Sequence, residues 1–85
     1  MKHAGSATLD AIESLLVQIR KLTSLTERKR AVFYRKSSAF LHFHEDPAGI
    51  FADLRDSSGW LRLPLNSASE RRALLRRIRE LLAAK

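Results

Sequence analysis

Two histidines, His42 and His44, lie two positions apart in the stretch FLHFHED, where they alternate with Leu41 and Phe43. Residues two apart in an extended strand project from the same face, so both imidazoles are expected to point the same way. Zinc or iron accepts two imidazole nitrogens and a carboxylate and keeps a further position open. Asp53, which we expect directly opposite His42 on the next strand, can supply that carboxylate. His42, His44 and Asp53 are therefore the candidate metal ligands.

The same residues allow two other interpretations. Asp53 between His42 and Arg62 could form an acid–base arrangement, in which the carboxylate orients and charges the imidazole. Alternatively, these side chains are a cross-strand row of charges on a solvated face, worth well under about 1 kcal/mol per exposed pair. The chain has no cysteine, no glycine-rich phosphate loop and no GxSxG motif. We therefore expect no enzymatic activity, no catalytic residue and no cofactor.

The elements that position these groups follow from the spacing of apolar residues. Apolar residues recur at three- and four-residue spacing from Leu9 to Leu22, which predicts an amphipathic helix over 9–23. We expect residues 1–7 to be disordered and the charged stretch TSLTERKR to be a connection. Ser67 followed by Glu70 is a capping box, which predicts a last helix over 68–84.

Between the two helices, residues 31–65 form short apolar and aromatic runs separated by KSSA, DPAG and DSSG. Such runs are typical of a meander of short strands. The sequence thus predicts one α+β domain over 1–85: a two-layer fold in the order α-β-β-β-β-α, with a four-stranded antiparallel meander covered on one face by the N- and C-terminal helices. The predicted strands lie near 31–36, 39–45, 50–55 and 60–65.

The turns fix which residues face each other across the strands. If DPAG and DSSG are four-residue loops, Asp53 opposes both His42 and Arg62. A two-residue turn at Ser37 and Ser38 places Phe33 opposite His42. One face is then almost wholly apolar and must pack on the helices: Val32, Tyr34, Leu41, Phe43, Ile50, Ala52, Leu54, Leu61, Leu63 and Leu65. The other face mixes aromatic and charged side chains and is the candidate binding face: Phe33, Arg35, Phe40, His42, His44, Phe51, Asp53, Arg55, Trp60 and Arg62.

The charge of the chain favours anionic partners. Sixteen basic and nine acidic residues give a formal net charge of +7. Basic residues concentrate in 20–36 and on one flank of the last helix, at Arg72, Arg76 and Arg79. Nucleic-acid binding through this helix and loop is therefore one hypothesis, although no RNP signature is present.

The leading functional hypothesis is a non-enzymatic module that self-associates, as a homodimer, or binds a protein partner through the candidate binding face. Trp, Phe and Arg are the residues enriched at protein interfaces. No apolar run approaches the roughly 20 residues that span a bilayer, and the start MKHAGSATLD lacks the apolar centre of a signal peptide. Together with the lack of cysteine, this predicts a cytoplasmic protein of bacterial type that does not bind membranes.

Overall fold

The computed structural model describes residues 1–84, which form three helices and six strands. Every strand pairing is antiparallel, and five strands lie in the order β2-β3-β4-β5-β6, with β1 beside β4. The predicted α+β class with an antiparallel sheet and helices at both ends is confirmed, but the sheet exceeds the four strands expected. The elements are β1 (Lys2–His3), α1 (Ser6–Ala11), α2 (Glu13–Arg20), β2 (Leu25–Lys29), β3 (Val32–Arg35), β4 (Ser38–Asp46), β5 (Gly49–Asp56), β6 (Gly59–Pro64) and α3 (Ala68–Ala83).

The apolar stripe of the N-terminal helical region is buried as expected, but it belongs to two helices. Ile12 has φ −113° and ψ 19°, so the helix that was predicted to run over 9–23 is interrupted there. The second segment, α2, ends at Arg20. The stripe continues across the interruption and lies in the core: Leu9, Ile12, Leu15, Leu16 and Ile19.

The C-terminal helix α3 begins with the predicted capping box. The backbone N–H of Glu70 donates to the Ser67 hydroxyl, and the N–H of Ser67 donates to the Glu70 carboxylate. Its buried residues, Leu74, Leu75 and Ile78, join the same core as the N-terminal stripe. None of the helices within residues 1–84 combines the length and the apolar character that crossing a membrane requires.

The charged stretch that was expected to be a connection instead contains the strand β2. The guanidinium of Arg20 on α2 donates to the carboxylates of Glu27 at 2.7 Å and Glu13 at 2.6 Å. Arg30 also reaches Glu13, at 2.9 Å. Hydrogen bonding from Arg20 holds the pKa of the Glu27 carboxyl below its ordinary value. Because Glu27 is paired with the helix in this way, a polar segment can serve as an edge strand.

The first residues, which the sequence predicted to be disordered, contain the strand β1 and the start of α1. Lys2 pairs with Glu45 and His3 with His44 on β4. The N–H of Gly5 donates to the Glu45 carboxylate at 2.7 Å. A hydrogen bond from Thr8, followed by the one from Gly5, keeps the pKa of Glu45 low. These contacts tie the N-terminal residues to the second half of β4, beyond the end of β3.

Two of the three predicted hairpins have the expected register. His42 pairs with Asp53, and Asp53 pairs with Arg62. Both turns repeat one pattern: an aspartate side chain accepts the N–H two residues on, and a glycine with positive φ follows. This local geometry favours the alignment of β4, β5 and β6 that the sequence predicted.

The hairpin between β3 and β4 has a different register from the one expected. Its turn residues are Lys36 and Ser37, and Lys36 takes a φ of 58°. Arg35 therefore pairs with Ser38, and Phe33 pairs with Leu41 across a register shift next to Tyr34. A displacement of one residue exchanges the two faces of a strand, so β3 presents the opposite side chains to the helices.

The glycines of the two turns with the expected register give a test of the contact between the first turn and Asn66. Gly49 has φ 129° and Gly59 has φ 122°, so alanine is strained at both, by about 1–3 kcal/mol. A Cβ on Gly49 would also overlap the Asn66 side chain, whose Oδ1 accepts the N–H of Ile50, whereas one on Gly59 meets nothing within 4 Å. We expect Gly49→Ala to lower the free energy of unfolding by at least about 1 kcal/mol more than Gly59→Ala. Chemical denaturation measures both, and equal losses would contradict the Asn66 contact.

Candidate functional site

The face of the sheet that points away from the helices carries the candidate site. Along β4 and β5, the core residues Leu41, Phe43, Ala52 and Leu54 alternate with side chains that point the other way. We call these side chains, with their neighbours on β1, β3 and β6, the outer face. It consists of His3, Val32, Tyr34, His42, His44, Phe51, Asp53, Arg55, Trp60 and Arg62.

Three residues of the sequence-predicted binding face do not belong to the outer face. Phe33 and Phe40 are 1% and 4% exposed and lie in the hydrophobic core. Arg35 is two residues from Phe33 and shares its side of β3, with its guanidinium 6.0 Å from the centre of the Phe40 ring. Val32 and Tyr34, expected in the core, take their place on the outer face. The other seven predicted residues do lie on that face.

Three imidazoles converge on the outer face. His42 and His44 project from β4, and His3 arrives from β1 as the pairing partner of His44. The ring centres of His3 and His44 are 4.7 Å apart, and those of His42 and His44 are 5.0 Å apart. One ring nitrogen from each residue lies within 4.8 Å of the other two. The sheet thus gathers three nitrogen ligands from two strands.

Asp53, the carboxylate expected to complete a metal site, is engaged by Arg62. The guanidinium of Arg62 donates to both carboxylate oxygens, at 2.8 and 2.9 Å. This hydrogen bonding holds the pKa of the Asp53 carboxyl below its ordinary value, although burial opposes it. Nδ1 of His44 lies 3.0 Å from the carboxylate but forms no hydrogen bond within residues 1–84. Asp53 is therefore placed to orient the imidazole of His44 through Nδ1.

The hydrogen bonding and the pKa of His42 do not match those of an imidazole in an acid–base pair with Asp53. Its Nδ1 is buried and makes no hydrogen bond to any residue of the described chain. Burial, followed by the neighbouring His44, lowers the pKa of the His42 imidazole, and Asp53 only partly opposes this. The imidazole is thus favoured in its neutral form. A neutral imidazole has a nitrogen lone pair available for a ligand.

Trp60 gives the outer face an exposed aromatic surface. Its side chain is 47% exposed, and its ring centre lies 4.7 Å from that of His42. The guanidinium of Arg55 lies 5.7 Å from the Trp60 ring, within the range of a cation–π contact. The imidazole and the guanidinium together hold the indole in place while leaving about half of it open to a partner.

His3 was not found by sequence reasoning. It lies 39 positions before His42, and the strand that brings it to the site has only two residues. Alternation of apolar and polar residues cannot be recognised over so short a segment. The available signal was compositional, since the chain has three histidines and all three meet on the outer face.

Comparison of the chain with protein-family models, with curated proteins and with solved structures finds no match in any of the three. The geometry of the outer face and the distribution of charge are therefore the observations that bear on function.

The Asp53–Arg62 pair predicts a stability difference between two neighbouring arginines. Arg62→Ala leaves the carboxylate of Asp53, a residue only 7% exposed, without its hydrogen bonds, so we expect it to lower the free energy of unfolding by about 1–3 kcal/mol. Arg55→Ala is the matched control, because Arg55 is exposed on the same face and its contact is with Trp60. Arg55→Ala should lower the free energy of unfolding by no more than about 0.5 kcal/mol, as most surface substitutions do. Urea denaturation showing equal costs would contradict the assigned pairing.

Proposed function

We propose that this protein is a non-enzymatic binding module that associates with a second copy of itself through the outer face. The exposed Trp60 is the observation that carries the proposal. Tryptophan is strongly enriched among the residues that dominate interface energies, because it buries a large area with little loss of side-chain freedom. Two neighbouring side chains already restrain the indole, so binding has less ordering cost to overcome.

The size of the molecule is sufficient for a dimer interface of standard area. Its extents are 37 × 22 × 21 Å, so the projected area of a face bounded by the two larger extents is roughly 800 Å². A standard interface buries about 800 Å² of each partner. Most of the outer face would therefore have to take part, and Trp60 would become fully buried.

The charges along the outer face are compatible with two-fold symmetry. Asp46 lies at the turn end of the β4–β5 hairpin, two residues from His44 on the same side of β4, and Arg55 lies near the opposite end of β5. A two-fold axis lying in the interface and running across the strands would set the Asp46 end of one copy over the Arg55 end of the other. The same pair then occurs twice in the interface, with one Asp46 and one Arg55 from each copy, as an isologous interface requires.

Oligomeric state tests the proposal directly. We expect light scattering after size exclusion to give a dimer at micromolar concentration, and Trp60→Ala to weaken association at least tenfold. Val17→Ala is the matched control, because Val17 is 43% exposed on α2, away from the outer face, and its removal should leave the dimer intact. A monomer in the wild type, or equal weakening by both variants, would contradict the proposal.

Nucleic-acid binding is the second candidate, and one feature of α3 favours it. Arg72, Arg76 and Arg79 are exposed on one flank of the helix, and none of them forms a salt bridge within residues 1–84. The neighbouring Arg77, by contrast, contacts Asp56 at 3.6 Å. Three uncompensated guanidinium groups in a row are suited to contact successive phosphates.

Salt dependence tests this second candidate. If the three arginines contact phosphates, duplex affinity should fall roughly 40-fold between 50 and 200 mM salt, since each contact adds about 0.9 to the logarithmic slope. Replacing Arg72, Arg76 and Arg79 by alanine should remove binding. A triple variant of Lys2, Lys21 and Arg55, which has the same net charge, should retain it. Equal losses in the two triple variants would show attraction to net charge alone and contradict a site on α3.

A further inference from the structure

We infer that His3, His42 and His44 form a binding site for a divalent transition metal of the zinc class, built within a single chain. The inference goes beyond the proposed association, because all three ligands belong to one molecule. It also differs from the site that the sequence predicted, since His3 replaces Asp53 as the third ligand.

The donor set determines the class of metal. Three imidazoles offer borderline nitrogen ligands, which suit zinc, copper, nickel and iron and do not suit calcium or magnesium. Zinc is commonly held by three protein ligands with the fourth position left to water or another small ligand. His3 and His42 also line a cleft of about 410 Å³, from which such a ligand can approach.

The geometry is close to what coordination requires. Metal–nitrogen distances of about 2.0–2.1 Å place the nitrogens of a tetrahedral site about 3.4 Å apart. The three ring nitrogens lie within 4.8 Å of one another, so they must approach by up to about 1.4 Å. His3 is exposed at the end of a two-residue strand, so rotation of its side chain can supply much of this movement. His42 and His44 are already fixed on β4.

Two unsatisfied nitrogens provide an independent observation. Nδ1 of His42 and Nδ1 of His44 are both buried and make no hydrogen bond within residues 1–84. Buried polar atoms in folded proteins are almost always bonded, so these two atoms need an explanation. A metal ion bound through Nδ1 of His42 would satisfy that nitrogen, whereas His44 would bind through its other ring nitrogen, with its Nδ1 facing Asp53.

The surroundings are also suited to a cation. The Asp53 carboxylate lies 3.0 Å from Nδ1 of His44, where it can orient that imidazole as the carboxylates behind metal-bound histidines commonly do. Arg62 keeps this carboxylate in place through two hydrogen bonds. The Asp53–Arg62 pair is neutral as a whole, so the guanidinium adds little net repulsion toward an ion held by the histidines.

Calorimetric titration of the untagged full chain with Zn²⁺ tests the inference. We expect one ion per chain, and we expect Co²⁺ to give the intense visible bands of a tetrahedral complex. Loss of second-shell partners weakens metal binding by about 10- to 100-fold, so His3→Ala and His44→Ala, which remove direct ligands, should weaken it by at least that much. Lys2→Ala is the matched control, because Lys2 is the exposed neighbour of His3 on β1 and should leave affinity unchanged.

Each outcome of this experiment decides the question. Saturable binding of one Zn²⁺ per chain that is lost in His3→Ala and retained in Lys2→Ala supports the site. His3→Ala carries this comparison if His44→Ala fails to fold, since His3 is exposed. Absence of saturable binding, or equal affinity in His3→Ala and Lys2→Ala, overturns it. Half an ion per chain places the metal between two copies and also overturns the single-chain site. If the protein is a monomer and still binds one ion per chain, the result contradicts the proposed self-association and supports the metal site.

Discussion

The alternation of side chains along β4 is the constraint on which both the core and the outer face depend. This strand pairs with β3 and β1 on one side and with β5 on the other. Leu41 and Phe43 point into the core, while His42 and His44 point away from it. Near Phe40 the alternation is broken by the register shift, so that Phe40 and Leu41 are both buried. Without that shift, β3 could not place Phe33 in the core while the histidines stay on the outer face.

The parts of the fold that were predictable are those in which local chemistry determines the geometry. The turns at DPAG and DSSG each combine an aspartate that accepts a backbone N–H with a glycine at positive φ, and both hairpins have the expected register. The capping box at Ser67 likewise fixed the start of α3. The turn after β3 lacks such a signal, because Lys36 takes a conformation that is usual for glycine or asparagine. The register shift between β3 and β4, which no local signal marks either, then reversed the assignment of the side chains on β3.

The missing strands have a different explanation, since their stability comes from distant partners. β2 is polar, and it joins the sheet where Arg20 of α2 neutralises Glu27. β1 has two residues and is held through Glu45. Neither interaction leaves a periodic signal in the sequence. For the same reason, the candidate site was only partly predictable: the pairing of His42, Asp53 and Arg62 followed from the hairpins, whereas the arrival of His3 depended on a strand too short to detect.

The proposed association and the inferred metal site share the outer face, so their energies must be coupled. A metal held by His42 would fix the imidazole against which Trp60 packs, and an ordered Trp60 lowers the cost of association. The same ion would add positive charge on the face that also carries Arg55, which opposes the close approach of two identical faces. Coupling between two binding equilibria is reciprocal, so zinc that strengthens association must itself bind the dimer more tightly.

Salt separates these two contributions to the coupling. Repulsion between exposed charges is screened over about 8 Å at physiological ionic strength, so its share of the coupling shrinks as salt rises. The ordering of Trp60 by His42 is a packing effect and does not depend on salt in this way. Coupling that becomes more favourable with added salt therefore identifies charge repulsion as the opposing force on this face, and coupling that stays constant identifies the ordering of the indole as the dominant link.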